Sequence, residues 1–172
     1  MFIRDLELGD VDNLLEFELE NRDWFERFII QRPDNFYEPA AVRDHIRAHI
    51  IAKQRGRFHG CVVIGAGGKI IARANLREIV LKEGLADIGY RVAKAHVGCG
   101  IASHATRHLL GLAYDEWHLK QLRGFVVVSN IASSRVLEKN GFVKVGTHAN
   151  SAKLRRGTFD CYEYRHMPSE VI

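Results

Sequence analysis

Residues 97 to 103, Val-Gly-Cys-Gly-Ile-Ala-Ser, stand directly ahead of a helical repeat and could form an anion site. Gly98 and Gly100 let the backbone come close to a ligand with no Cβ in the way. The first amides of a helix have no intrahelical partner and lie at the positive end of its dipole. The amides of Gly98, Cys99, Gly100, Ile101, Ala102 and Ser103 could therefore surround a pyrophosphate. A plain tight turn fits the same residues. A P-loop does not, because the G-x-x-x-x-G-K-[ST] spacing is absent. A dinucleotide fingerprint fails as well. Its third glycine is missing, and several β-rich runs precede the stretch, whereas a Rossmann domain opens with it.

A second stretch lies about 30 residues on: VVVSNIASSRVLEKNGF, residues 126 to 142. A strand ends at Asn130, a short helix with small residues follows, and Asn140-Gly141 is a helix-ending signal. The three cysteines, Cys61, Cys99 and Cys161, have no metal-ligand spacing, and nothing in them argues for disulfides. Cys61 and Cys161 fall in apolar strand-like runs and read as buried thiols. Cys99 invites an acyl-cysteine mechanism, but no spacing implies a His–acid pair beside it.

The elements around these stretches follow from hydrophobic period. MFIRDL reads as a first strand. Asp10 is a plausible N-cap for one helix carrying Val11, Leu14, Leu15, Leu19 and Trp24 at helical spacing. QRPDNFYEP breaks it. A second helix covers residues 39 to 55, with Pro39 in its first turn and Val42, Ile46 and Ile50 as its stripe. Two β-rich runs then flank GAGG, a hairpin signal. LADIGYRV is a further strand, with Ala86, Ile88, Tyr90 and Val92 on one face. A helix bearing Ile101, Ala105, Leu109 and Leu112 runs on to about Trp117. QLRGFVVV, the short helix, GFVKVGTHA and TFDCYEYRHM complete the chain. The order β-α-α-β-β-β-α-β-α-β-β is an α+β fold. It predicts a mixed, mostly antiparallel sheet with one β-α-β crossover at the glycines.

The 172 residues suit a single domain, 1–172, with 47% apolar and 27% charged residues, an ordinary soluble balance. The net charge of +4 is spread along the chain. It would help attract a polyphosphate but is too diffuse for a nucleic-acid groove. No apolar run is long enough to span a bilayer, and the acidic N-terminus is unlike a signal peptide. A cytoplasmic protein with no membrane or nucleic-acid partner is expected.

Taken together, VGCGIA and VSNIASSRVLEKNGF resemble the GCN5-related N-acetyltransferase (GNAT) superfamily. ENRDWFERF, RPDNFY and LADIGYRVAKAHVGCGIASHA are similar to its ribosomal-protein alanine/serine N-acetyltransferase branch, the RimJ/RimL type. The resemblance implies a GNAT fold and acetyl-CoA as co-substrate. The family's pyrophosphate motif falls on Val97, Gly100 and Ala102, with Val97 where the family has Gln or Arg. The strand end at Val92 would run beside the pantetheine and polarise the acetyl carbonyl through a backbone N–H. Asn130 would hold the pantetheine amide. A tyrosine acid is absent, because its position is Leu137. Ser133 is the branch's candidate proton donor to the leaving thiolate, and Ser134 ranks below it. Lys139 could meet the 3′-phosphate. Asn21, Arg22, Trp24 and Tyr37 would contact the acceptor, with Phe25 and Phe36 at the rim.

The branch's base carboxylate falls near Ala152, where this chain has none. Glu78, Asp87 and His148 are stand-ins, the last because imidazole suits proton transfer near neutral pH. The implied activity is direct acetyl transfer to a primary amine, foremost the N-terminal α-amine of a protein such as a ribosomal one. The rivals are a small-amine acetyltransferase acting on a polyamine or antibiotic, and a catalytically weak acyl-CoA-binding regulatory module. An acidic acceptor cleft would favour cationic amines; a long open groove would favour a peptide. No metal is implied, and a homodimer is left open.

Overall fold

The structure is a computed structural model, and it describes residues 1–168. The β-rich runs pair into one seven-stranded sheet: β1 (Phe2–Asp5), β2 (His59–Ile64), β3 (Ile70–Val80), β4 (Leu85–Val92), β5 (Gln121–Val127), β6 (Val143–Leu154) and β7 (Gly157–His166). Their order is β1-β2-β3-β4-β5-β7-β6. Every neighbouring pair is antiparallel except β4 with β5. A parallel pair cannot be joined by a tight turn. Here the connection carries the helix that follows the glycines.

The parallel register runs from Leu85↔Gln121 to Ile88↔Gly124 and stops there. Beyond it β4 continues to Val92 against β3, and β5 continues to Val127 against β7. The sheet therefore splits, and the facing edges of β4 and β5 are left without each other. Ala93 donates to Ile71 next to β3. Antiparallel bonding alternates along a strand, so the N–H groups of Tyr90 and Val92 point away from β3, into the split.

The helices are α1 (Val11–Glu20), α2 (Arg22–Phe25), α3 (Pro39–Gln54), α4 (Ile101–Gly111) and α5 (Ile131–Lys139). One face of the sheet packs on α4 and α5, through Ala86, Ile88, Leu122, Ala105, Leu109 and Leu137. The other packs on α1 and α3, through Val62, Ile64, Leu14, Phe17, Val42 and Ile46. The end of α5 is a Schellman turn: Phe142 N–H donates to Leu137 and Gly141 N–H to Glu138, both at 3.1 Å, with Gly141 at φ +83°.

Three local expectations are corrected. The first helix is two, because α1 ends at Glu20 and Asn21 separates it from α2. Its buried face is Val11, Leu14, Phe17 and Glu18, while Leu19 is 49% exposed. Position 18 lies seven residues after Val11 and four after Leu14, so it is the inward position of a helical stripe although it carries a charge. Asp10 occupies the N-cap position of α1 without capping it by side chain. Its carboxylate is spent on Arg4, at 2.8 and 2.6 Å, and on the N–H of Glu7 at 3.0 Å. The α4 helix gives way after Gly111 to a wider π-helical turn, Leu112–Glu116.

Candidate active site

At the mouth of the split, the residues before α4 take the conformation their sequence invites. Gly98 has φ +81° and Gly100 has φ +76°. Gly100 is the N-cap and offers no side chain, and the first helical bond is His104 N–H to Gly100 O at 3.0 Å. The N–H groups of Ile101, Ala102 and Ser103 have no hydrogen-bond partner among the described residues. A Cβ built at Gly98 or Gly100 would meet nothing within 4 Å. The loop is thus an open set of amides at the positive end of a helix, suited to a phosphate. Val97 and Cys99 are exposed beside it, and the Cys99 thiol meets the Val97 carbonyl at 3.9 Å. The Ser103 hydroxyl is taken, because it accepts from Asn140 Nδ2 at 3.0 Å. That bond ties the end of α5 to the first turn of α4.

Deeper in the split, Asn130 ends the β5 segment and caps α5, its Oδ1 accepting from Ser133 N–H at 3.2 Å. Tyr90 reaches across from β4 and donates its hydroxyl to the Ser133 carbonyl at 3.1 Å. Burial pushes the Tyr90 phenol up to about 12, so it stays protonated as a donor. Ser133 is half-buried, whereas Ser134 is buried. An open depression of ≈ 390 Å³ lies at the end of β5, lined by Val127, Val128, Ser129, Thr158, Phe159 and Asp160.

On the other face of the sheet, α2 lies against the end of β4. The Trp24 indole donates to the Val92 carbonyl at 3.2 Å. Trp24 and Tyr37 are half-buried; Phe25 and Phe36 are buried and belong to the packing of α1 and α3. Asn21 is 6% exposed, with both ends of its carboxamide engaged: Nδ2 donates to Phe17 O at 2.9 Å, and Oδ1 accepts from Lys94 N–H at 2.8 Å. It clasps the β4–α4 loop to α1, a buried structural position. Arg22 is bonded to Glu26 at 3.0 Å and Asp34 at 2.5 Å, with its guanidinium over the Tyr37 ring. From the β6–β7 turn, Arg155 reaches Glu26 at 3.2 Å. This contact ties the hairpin to α2 across the end of the split.

The stand-in carboxylates do not reach this place. Asp87 lies five residues before Val92, roughly 17 Å along an extended strand, and is paired with Arg123 at 2.8 Å. Glu78 sits exposed in the bulge at the far end of β3. His148 faces Phe125 of β5, with its Nε2 on Glu163 at 2.7 Å.

Sequence reasoning missed the charges beneath α1. Glu18, 2% exposed, is bonded to Arg32 at 3.3 Å, Arg73 at 3.2 Å and Arg91 at 3.0 Å. Its helical position was the available signal. Arg73 also meets His45 Nε2 at 3.3 Å and His49 Nδ1 at 3.4 Å. Burial, reinforced by Arg73, holds these imidazoles down to about 2 and about 3, so both are neutral. Away from the split, Asp5, His59 and Cys61 form the one metal-like group among the described residues. His59 is already saturated, by Asp5 at 2.7 Å and by the Trp117 indole at 2.8 Å, and Lys53 neutralises Asp5. The group fastens β1 to β2, with Asp5 and His59 already engaged within the protein.

A split parallel pair, with an open set of helix-terminal amides at its mouth and a helix-capping Asn on the opposite lip, could hold an extended ligand that carries phosphate. Residues 1–143 match the family described as Acetyltransferase (GNAT) domain, and the chain belongs to that family. It is 31% identical over 156 residues to the probable N-acetyltransferase YjcK of Bacillus subtilis, covering 90% of this chain and 86% of that one. It shares its fold with the ribosomal-protein-S5-alanine acetyltransferase of Vibrio fischeri (TM-score 0.93, 18% identity, 98% of this chain and 93% of that one). The fold is shared also with Mycobacterium smegmatis RimJ in complex with CoA-disulfide (TM-score 0.91, 18% identity, 98% and 82%). No helix among the described residues is long and apolar enough to cross a membrane.

Proposed function

We propose that the protein transfers acetyl from acetyl-CoA directly to a primary amine, the N-terminal α-amine of a protein. The unpaired edges of β4 and β5, with free amides at their mouth, are the observation that carries this reading. A buried or half-buried strand edge lacking a neighbour calls for an extended ligand chain that can hydrogen-bond to it. Acetyl-CoA supplies the acyl group as an activated thioester.

The amides of Gly98 to Ser103 bind the pyrophosphate, with Val97 at the lip, and Lys139 meets the 3′-phosphate. Asn130 spends Oδ1 on its helix cap and keeps Nδ2 for a pantetheine carbonyl. The Val92 N–H, aimed into the split, polarises the acetyl carbonyl. Ser133 Oγ, one turn into α5, gives its proton to the departing sulfur. Trp24 and Tyr37 flank the acceptor. The Arg155–Glu26 contact closes the end of the split, which supports entry by a chain end over entry by a loop. An α-amine with a pKa near 8 is free in a minor fraction at neutral pH, so positioning carries the reaction without a strong base.

Thiol release from acetyl-CoA is the test, with peptides beginning Ala, Ser and Met, spermidine and an aminoglycoside as acceptors. Turnover is expected with one peptide class. Ser133→Ala is expected to lower kcat about 100-fold, the worth of a general acid. Asn130→Ala is expected to raise the KM for acetyl-CoA about tenfold, one polar contact. CoA binding without turnover on any acceptor would overturn the reading.

A further inference from the structure

The Glu18 network holds three guanidiniums on one carboxylate, and its two imidazoles are neutral, so two positive charges are left over. The next layer does not cancel them, because Arg22 and Arg155 there already face Glu26 and Asp34. Donors are in surplus too. The Nε groups of Arg32 and Arg73 are buried with no partner among the described residues. Uncompensated buried charge is strongly unfavourable, and strongly perturbed charged groups cluster at functional sites.

Arg91 places this surplus near the reaction. It is the residue before Val92, and its side chain lies on the Phe25 and Glu18 side, opposite Tyr90. Arg91 and Arg32 keep 16% and 18% of their side chains accessible, whereas Arg73 is sealed at 1%. Burial, reinforced by the neighbouring Arg73 and Arg32 and only partly offset by Glu18, holds the Arg91 guanidinium down to about 9.

We propose that the acceptor carries a carboxylate within one or two residues of its reactive amine, and that Arg91 and Arg32 bind it. This rests on the acetyltransferase reading above and names its substrate class: an amine accompanied by an anion. An extended residue spans at most ~3.6 Å, so a group at peptide position 2 or 3 lies within reach of an arginine beside Val92. The same surplus disfavours polyamines and aminoglycosides, which would bring further positive charge to it.

The test uses the intact enzyme and peptides identical except for Glu, Gln or Lys at position 2, then at position 3, with free glutamate and spermidine alongside. The Glu peptide is expected to exceed the Gln peptide in kcat/KM by about tenfold or more, the worth of one charge-assisted hydrogen bond, with Lys lowest. In Arg91→Met the Glu/Gln ratio is expected to fall towards one, and Arg91→Lys should retain part of it. Glu18 keeps Arg73 and Arg32 in both variants; CoA affinity and melting temperature report that they are folded. Free glutamate turning over as well as the peptides would identify a small amino acid as the source of the carboxylate. Equal rates for Glu and Gln at both positions, or a preference for Lys or spermidine, would overturn the inference and leave the acetyltransferase reading standing. Silence with every amine while CoA still binds would remove both.

Discussion

Gly100→Val is expected to weaken CoA binding about 100-fold or more while leaving the protein folded. The argument has two separable parts. Gly100 holds φ +76° at the N-cap of α4, a conformation that costs an L-residue about 1–2 kcal/mol. For a chain of this length that corresponds to a fall in Tm of about 2–8 °C. A Cβ there meets nothing within 4 Å beyond its own chain neighbours, so this cost is chiefly backbone strain. The isopropyl group would instead occupy the space in front of the Ile101, Ala102 and Ser103 amides. Each charge-assisted bond from such an amide to a phosphate is worth about 1.5–3 kcal/mol. Losing two accounts for 100-fold or more. Calorimetric titration with CoA, beside a thermal melt, checks both parts. A folded variant with unchanged affinity would show that the pyrophosphate lies elsewhere.

The difference between what could and could not be read beforehand has a physical basis. The cradle was legible as one of two readings: two glycines ahead of a helical repeat allow a plain tight turn or an open set of amides, and the positive φ of both with nothing over them makes it the second. The helix end at Asn140-Gly141 was legible for the same local reason, and the crossover followed from element order. The split was not legible in the residues themselves. Where β4 and β5 part company depends on β3 and β7 pulling each strand its own way, a property of the whole sheet. Asn21 misled because its residue type suits both a substrate contact and a clasp, and its partner Lys94 is 73 residues away. Glu78 and Asp87 looked available because nothing in one dimension says which end of a strand meets the ligand. Glu18 does not read as buried because a charged residue in an amphipathic repeat normally belongs to the outer face. Only the three arginines, gathered from a loop and two strands, make its inward position tenable.

That position makes Glu18 the residue whose loss should harm the fold most. Glu18→Gln is expected to destabilise the protein by about 3–5 kcal/mol, the cost of removing one partner from a buried ionic network. Against a total of about 5–15 kcal/mol for a typical domain, that is a large fraction. The volume barely changes, so the effect isolates charge: three buried guanidiniums would face no anion. The same carboxylate gives the stability a pH signature. Burial pushes the Glu18 carboxyl up, but Arg91, Arg73 and Arg32 together outweigh it and hold it below its ordinary value. The folded state therefore binds this proton less readily than the unfolded chain does. Its stabilisation is fully present above the unfolded value, about 4.3, and is lost as pH falls through the lower folded value. His45 and His49 add a separate slope. They are held neutral when folded, so stability declines with falling pH from about 6.5, where the unfolded imidazoles take up protons. Chemical denaturation from pH 7 to pH 3 should then show two regimes in the wild type. Glu18→Gln should keep the histidine slope above about pH 5 and lose the steeper one below about 4.3. Parallel curves for the two proteins across the whole range would mean that the arginines find their countercharge elsewhere.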